Sequence, residues 1–414
     1  MWKVVKPQHR SWSGIMLLDN SDKKHKLLLY VGDTLIGDFN KFAQNRALSE
    51  ALKSESDSAI ADQFTFSISW SKFKKHAKIR LDDNPESLLR VGKTHMVFLV
   101  DGLPRFSGFL ATRPARSGYG SDQQLDLKFF EHFARLSGDL VCDKNNTQSP
   151  HRAFSNTPGH IFVQSLISEF ITRAKNAGEN IRWKFGIVNE LRLKTVEYND
   201  FQTVSKALCD AMNNETGTGK FDVVFRANPD NHNEQIIDIL KPRGKRKNII
   251  IKYPSDGVYK LWASGYVVEE SADYASDVLV AGNGQVGNPE TGEDTAELAS
   301  ASNHAAVQDN CYWRVYETQS NLKSQAAVAE YAQKSLAQRS FDSLVPQIKL
   351  VGRPIIWGDS ANENNGLALG DEFRFQEEND DGSDFSGWMR IIAMETSWDN
   401  QGVATVTPRL KRVE

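Results

Sequence analysis

Alternating apolar and polar positions predict β-strands through most of residues 1–136. The clearest case is Phe64-Thr-Phe-Ser-Ile-Ser-Trp70, whose apolar side chains fall on every second position, as on a strand with one buried face. Asp101-Gly102 separates two apolar runs and favours a type I′ turn, so we expect a hairpin there. Further strands are predicted at Ile15–Asp19, Lys26–Val31, Thr94–Val100, Arg105–Thr112 and Leu125–Phe130. Short strands at this spacing are typical of a small barrel or sandwich.

The pattern changes to helical spacing after residue 142. Asp143–Pro158 is rich in Asn, Ser and Pro and is predicted to be a loop. Asn156 or Thr157 can cap a helix whose first turn holds Pro158, and apolar residues three and four apart continue it to just before Gly178. A second helix from Asp200 and strands at Ile181–Phe185, Phe221–Phe225 and Gln235–Leu240 complete the region. Residues 143–254 are therefore predicted to form an α+β domain.

Short strand patterns resume after Pro254. Asp277–Ala281 is one such strand, and a helix is expected from about Leu322 to Arg339. Residues 283–308 are low in hydrophobicity and are predicted to form a long surface loop. Four more strands are expected at Val345–Trp357, Gly370–Gln376, Trp388–Trp398 and Val403–Arg409.

Together these patterns predict a mainly β fold with an α+β insert. The predicted domains are a first β-barrel module with an N-terminal extension over 1–142, the α+β domain over 143–254, and a second β-barrel module with one helix over 255–414.

Composition narrows the class of protein. Lys plus Arg (50) nearly balances Asp plus Glu (53), so net charge favours neither nucleic acid nor an acidic membrane as partner. Three widely spaced cysteines, Cys142, Cys209 and Cys311, suit a protein made in a reducing cytosol. No signal sequence or membrane-spanning segment is expected, because no window approaches the ~20 apolar residues that a bilayer span needs.

No stretch predicts a catalytic, cofactor-binding or metal site. Gly282-Asn-Gly-Gln-Val-Gly287 matches a dinucleotide motif, but Asn288-Pro-Glu-Thr-Gly-Glu-Asp294 after it is acidic and starts a helix poorly, so a turn is favoured. Gly217-Thr-Gly-Lys220 lacks the hydroxyl residue that a phosphate-binding loop needs, since Phe221 occupies its place. The nine histidines are scattered without metal-ligand spacing.

The most concentrated charge lies in Lys241-Pro-Arg-Gly-Lys-Arg-Lys247, where five of seven residues are basic. Its Pro and Gly between two apolar runs favour a solvated hairpin tip; a loop facing phosphate or a membrane is the alternative.

A carbohydrate-binding or carbohydrate-active cell-wall protein is one functional hypothesis. It is motivated by nine Trp residues, among them Trp262, Trp313 and Trp357, and by adjacent acids such as Asp82-Asp83 and Asp380-Asp381. Most of the Trp residues fall in strand patterns, where packing in a core is the alternative use.

The order of motifs points to a second hypothesis. The Asp101-Gly102 hairpin with its return strand Gly108-Phe-Leu110 precedes the α+β region, which Asp277-Val-Leu-Val-Ala-Gly-Asn-Gly284 follows. Then come Trp313-Arg-Val-Tyr-Glu317, the alanine-rich helix and Leu369-Gly-Asp-Glu-Phe373. This arrangement resembles the tail-tip hub proteins of long-tailed phages, which are related to the baseplate hub of contractile phages and to the N-terminal region of tail-associated lysins.

The resemblance implies a virion protein made in the host cytoplasm, without stable membrane insertion. Three copies, each contributing two β-barrels, would form a homotrimeric ring around a channel through which DNA passes without specific binding. The implied partners are the distal tail protein, the tail tube, tape-measure proteins, and tip or fibre proteins. The chain stops at Glu414, so lysis and receptor binding would fall to other proteins. On this hypothesis Lys245, Arg246 and Lys247 are candidate contacts to an acidic neighbour.

Overall fold

A computed structural model provides the structure. It describes residues 25–55, 61–78, 88–100, 102–112, 115–117, 123–143, 148–213, 219–241, 243–253, 260–267, 275–283, 296–303, 312–319, 322, 324–339, 345–351, 367–377, 385–399 and 404–413. The predicted strand at Ile15–Asp19 lies outside these residues.

Strands dominate the described chain. In chain order they are β1 His25–Val31, β2 Thr34–Asp38, β3 Gln44–Ala51, β4 Gln63–Ser69, β5 Thr94–Val100, β6 Leu103–Leu110, β7 Ala115–Ser117, β8 Gln124–Glu131, β9 Arg152–Pro158, β10 Trp183–Val188, β11 Leu193–Tyr198, β12 Asp222–Ala227, β13 Gln235–Leu240, β14 Arg246–Tyr253, β15 Lys260–Val267, β16 Asp277–Ala281, β17 Leu298–Ser302, β18 Arg314–Thr318, β19 Val345–Val351, β20 Glu372–Glu377, β21 Phe385–Trp398 and β22 Ala404–Val413.

The helices are fewer. They are α1 Trp70–His76, α2 Gly159–Asn176, α3 Val204–Met212 and α4 Gln325–Arg339, with 3-10 turns at Lys53–Glu55 and His132–Gly138. The prediction of a mainly β fold with an α+β part is confirmed. Among the described residues, none of these helices combines the length and apolarity needed to cross a bilayer.

Two compact units divide the chain: residues 1–264 with 347–414, and residues 265–346. In the first unit a sheet of fourteen described strands runs in the order β15-β19-β22-β21-β3-β4-β8-β6-β5-β1-β2, with β20 and β14 branching from β21 and β7 from β8. The N-terminal strands of this sheet meet the C-terminal strands where β3 pairs antiparallel with β21, from Ala393 opposite Ala51 to Trp398 opposite Arg46. The domain boundaries expected at residues 142 and 254 remain predictions.

An aromatic core fills the inner face of β1, β3–β6 and β8. The alternation predicted for β4 is present at Phe64, Phe66 and Ile68, which are all buried, but Trp70 begins α1 instead of continuing the strand. Phe66 stacks on Phe129 with parallel rings 6.0 Å apart. The predicted hairpin is confirmed: β5 and β6 pair up to Val100 opposite Leu103, and Gly102 has the positive φ that this turn requires.

The α+β part has its own core between α2, α3 and the sheet β10-β13-β12. α3 begins at Val204 rather than Asp200, because the Thr203 side chain accepts a hydrogen bond from the Lys206 amide and caps the helix there. Phe201, which the predicted helix would have included, lies before the cap and is 48% exposed.

The loop predicted over 143–158 is partly wrong. Residues 152–158 form β9, which pairs antiparallel with β11 although its sequence is polar. The ladder with β11 supplies hydrogen-bond partners for the backbone of β9. Phe154 is buried, whereas Ser155 and Asn156 face solvent, so one buried apolar side chain is enough for this segment to form a strand. Because the strand reaches Pro158, that residue occupies the N-cap position of α2 without a side-chain hydrogen bond, and the predicted cap at Asn156 or Thr157 is wrong.

The second unit packs α4 on one face of the sheet β17-β16-β18. Strand β16 and helix α4 were both expected. The predicted loop over 283–308 is wrong at Leu298–Ser302, where β17 pairs antiparallel with β16. Ala299 and Ala301 are buried in the core formed with α4, so small residues make this strand despite their low hydrophobicity.

Helix α2 offers a matched test of the α+β core. Phe162 is 2% exposed whereas its neighbour Ile161 is 43% exposed. We expect Phe162→Ala to lower the free energy of unfolding by roughly 3–5 kcal/mol because it leaves a cavity. Ile161→Ala serves as the control and should change it by about 0.5 kcal/mol or less. Urea unfolding followed by tryptophan fluorescence measures both; equal losses would contradict this packing.

Candidate functional site: a charged junction at the basic connection

The basic stretch 241–247 connects two sheets. It leaves β13 in the small sheet and enters β14, which pairs parallel with β20 of the large sheet. The expected hairpin tip is therefore wrong, because the chain crosses to another sheet instead of turning back. Gly244 has φ +92° and Gly370 also has φ +92°, and a Cβ on either would collide with the backbone facing it. Both glycines are required for this close approach.

Asp371 fixes the connection to the turn at 367–371. Its buried carboxylate accepts the Lys245 amide at Oδ1 (2.8 Å) and the Ala368 amide at Oδ2 (2.9 Å). The Glu372 amide in turn donates to the Lys245 carbonyl at 3.0 Å. These bonds hold together segments 126 positions apart in sequence. The Leu369-Gly-Asp step thus forms a turn that binds the basic connection before β20 begins.

The three candidate contact residues lie along this connection. Arg246 pairs through Nε with Glu372 Oε2 at 2.9 Å, and its guanidinium lies 4.6 Å from the ring centre of Trp388. Lys247 places Nζ 3.9 Å from Asp371 Oδ2 and is mostly buried, whereas the Lys245 residue is exposed. Arg246 keeps 49% of its side chain exposed, so Lys245 and Arg246 are the more accessible members.

A charged junction lies between the large sheet and the α+β part of the same unit. Its members are Lys53, Glu55, Glu131, Lys220, Arg390 and Lys411. The Glu55 carboxylate is 2.7 Å from Lys220 Nζ, 3.0 Å from Lys411 Nζ and 3.6 Å from Arg390 Nη1. Burial by itself would raise the pKa of Glu55, but the charges of Lys411 and Lys220 outweigh it and lower that pKa. The carboxylate therefore stays ionised and joins three segments.

A second buried pair continues the junction. Lys53 Nζ lies 2.7 Å from Glu131 Oε2, with only 4% of each side chain exposed. Glu131 also accepts the Phe225 amide at 3.1 Å, which ties β8 to β12. Burial raises the pKa of nearby Asp62 to about 6, with the charge of Lys53 opposing and that of Glu131 reinforcing the shift. These contacts connect secondary-structure elements and compensate buried charge.

Other residues singled out from the sequence do not come together where the structure describes them. Cys142 and Cys209 are buried thiols, and Cys311 lies outside the described residues. Within the described part of the chain no three His, Cys, Asp or Glu side chains group as a metal site would require. Gly219 has φ +84° in the connection from α3 to β12, as expected for a turn. Of the motif at 282–287, only Gly282 and Asn283 are described.

The Trp residues divide between core and surface. Trp398 is 4% exposed and packs in the aromatic core, whereas Trp313 is 47% exposed. The side chains of Trp262 and Trp357 and both adjacent-acid pairs lie outside the described residues.

Sequence reasoning missed Glu55, Glu131 and the buried histidines His95 and His132, because their partners are far away in sequence. Glu55 pairs with Lys220 across 165 positions and with Lys411 across 356. Asp371 could have been identified from the sequence, because Leu369-Gly-Asp is typical of a turn.

Comparison with solved structures shows that this fold is similar to the folds of two tail proteins. The 43 kDa tail protein of prophage MuSo2 from Shewanella oneidensis aligns over 94% of this chain and 98% of its own, with a TM-score of 0.58 at 11% identity. The tail protein from Neisseria meningitidis MC58 aligns over 94% of this chain and 97% of its own, with a TM-score of 0.58 at 10% identity. No protein-family profile and no curated protein matches the sequence. The shared feature is therefore the fold.

The two opposed glycines give a matched test of the connection. Gly92 also has a positive φ (+74°), but a Cβ there meets no described atom within 4 Å. Gly92→Ala should cost about 1 kcal/mol of unfolding free energy for the backbone alone. Gly370→Ala should cost about 1–3 kcal/mol more, because the Arg243 backbone cannot yield as a side chain can. Urea unfolding measures both; equal costs would show that the two segments do not meet as described.

Proposed function

We propose that this protein is a structural component of a phage tail, located in the virion at the tail tip or baseplate. The observation that carries the proposal is the likeness to two tail proteins, which extends over 94% of this chain and nearly all of theirs. The charged junction supports it, because buried ion pairs there tie elements together and offer no open chemical site among the described residues.

We further propose that three copies form a hub ring around the DNA channel. Such a ring would adapt the hexameric tail tube and distal tail protein to threefold tip components, with tape-measure and fibre proteins as neighbours. Fifty basic and 53 acidic residues leave no cationic excess to retain DNA, which suits passage without specific binding.

The proposed place in the particle can be tested directly. Tail particles made with a tagged copy of this chain should carry the tag at the tail tip in a threefold arrangement, and deletion of the gene should leave no complete tails. Cryo-electron microscopy of particles and of the deletion strain measures both. Complete tails that lack density for the chain would overturn the structural role; a tip location with another symmetry would overturn only the trimer.

The basic connection supplies a surface test of partner binding. Replacing Lys245, Arg246 and Lys247 with Ala should weaken incorporation into tails about tenfold in low salt if these residues meet an acidic neighbour, with a smaller effect at 0.5 M salt because of screening. The incorporated fraction is measured by sedimentation and immunoblotting.

The matched control uses α1, whose Lys72, Lys74 and Lys75 are also exposed. Their replacement by Ala removes the same net charge and should leave incorporation unchanged. The unfolding free energy of both triple variants is measured alongside, since Arg246 also pairs with Glu372. Normal incorporation of a stably folded Lys245/Arg246/Lys247 variant would remove this surface from the proposal.

A further inference from the structure

Two imidazoles meet inside the first unit, where β5 faces the 3-10 turn after β8. His132 Nε2 lies 3.2 Å from His95 Nδ1, and the ring centres are 5.2 Å apart. His132 is 7% exposed and packs edge-on against Trp183, while His95 is partly buried. The pair thus lies between the large sheet and the α+β part.

The hydrogen bonds determine which nitrogens carry protons. The His232 carbonyl can only accept, so His95 Nε2–H donates to it at 3.2 Å, and His95 Nδ1 is left as an acceptor. His132 Nε2–H therefore donates to His95. Tyr30 Oη is 3.3 Å from His232 Nδ1 and extends the series to β1. We name Tyr30, His232, His95 and His132 the histidine series.

A proton added to this neutral pair has no favourable place. His132 Nδ1 is buried without a hydrogen-bond partner among the described residues. Protonation of His95 Nδ1 would set two N–H donors against each other across 3.2 Å. The hydrogen bonds to the His232 carbonyl and to the Gly108 backbone, on the adjacent strand β6, favour a charged His95, but burial outweighs both and lowers its pKa.

The surrounding charges do not offset an added proton. Lys26 on β1 and Arg135 in the 3-10 turn are cations that disfavour charge on His232 and His132 respectively. The neighbouring carboxylates already have cationic partners, in the pairs Asp33 with Arg182, Glu131 with Lys53, Glu179 with Arg135 and Glu234 with Lys184. The pair is therefore arranged for two neutral rings.

We propose that the histidine series is an acid-sensitive latch: protonation of His132 and His95 breaks their hydrogen bond and releases the 132–138 turn and the 228–235 connection from the large sheet. The proposal stands apart from the proposed function, since it concerns how one subunit holds its two parts together.

The direction of the pH effect follows from burial. Burial lowers the pKa of His95 to about 4, and burial followed by the charge of His95 lowers the pKa of His132 well below its ordinary value. Both values are lower in the folded than in the unfolded state, where a histidine titrates near 6.5. The stabilisation is thus complete above about pH 6.5 and is lost as pH falls towards 4.

The full chain tests the latch by urea unfolding at pH 7.5 and 5.0. A histidine with a pKa of about 4 when folded, as for His95, and near 6.5 when unfolded lowers the ratio of folded to unfolded protein about 30-fold over that interval. His132→Phe keeps an aromatic ring beside Trp183 but cannot titrate, and should remove a factor of this order from the wild-type response. His151→Gln, at a side chain that is 61% exposed, is the control and should keep the whole response.

Hydrogen exchange of the wild-type chain distinguishes release of the latch from general loosening, and it applies even if His132→Phe does not fold. After correction for intrinsic rates, protection in 132–138 and 228–235 should fall at least tenfold more than in α2 between pH 7.5 and 5.0. A uniform change, or an unaltered pH response in folded His132→Phe, would overturn the proposal.

Discussion

The first unit depends on the hydrogen bonds that the Asp371 carboxylate accepts, because they join the basic connection to the turn at 367–371. A buried carboxylate is stable only when donors replace the water that it loses, and here the donors are two backbone amides from segments far apart in sequence. Because backbone amides cannot rotate away as side chains can, the bonds fix the position of the chain itself. The two opposed glycines are the steric counterpart of this constraint: the segments approach so closely that neither tolerates a Cβ.

Buried charge then limits how the α+β part can lie against the large sheet. An ion pair such as Lys53 with Glu131 adds little net stability, because desolvation offsets the attraction, but separating its partners leaves an uncompensated charge in a buried place. Two apolar surfaces can slide past each other and still remain buried. The charged junction cannot shift in this way without separating its ion pairs. The cost of burying an uncompensated charge also makes the histidine series sensitive to acid, because its rings are accommodated only while they are neutral.

What sequence alone could predict follows from the range of the interactions. The Asp101-Gly102 hairpin, the alternation in β4 and the end of α2 before Gly178 are set by neighbouring residues, and all three are present. Polar β9 and alanine-rich β17 were missed because each becomes a strand only when it contacts a distant element. β9 forms its backbone hydrogen bonds with β11, and the small side chains of β17 are buried by α4. The basic connection was identified as charged, but its crossing to β14 depends on β20, more than a hundred residues later.

The pairing of β3 with β21 bears on how the chain folds as it is made. Arg46 reaches the Asp399 carbonyl across 353 positions, so β3 must wait for its second neighbour until nearly the whole chain has left the ribosome, roughly 20–70 s at usual rates of synthesis. During that interval β4 can protect one edge of β3, and the other is an open strand edge, the kind that recruits other chains. Arg46 and Glu50 lie on the inward face of this strand, where charge is costly unless its intended partners are present. Asn40 and Arg105, which bond to Arg46 and Glu50, are made early, so the acceptor that arrives last on this face is the Asp399 carbonyl.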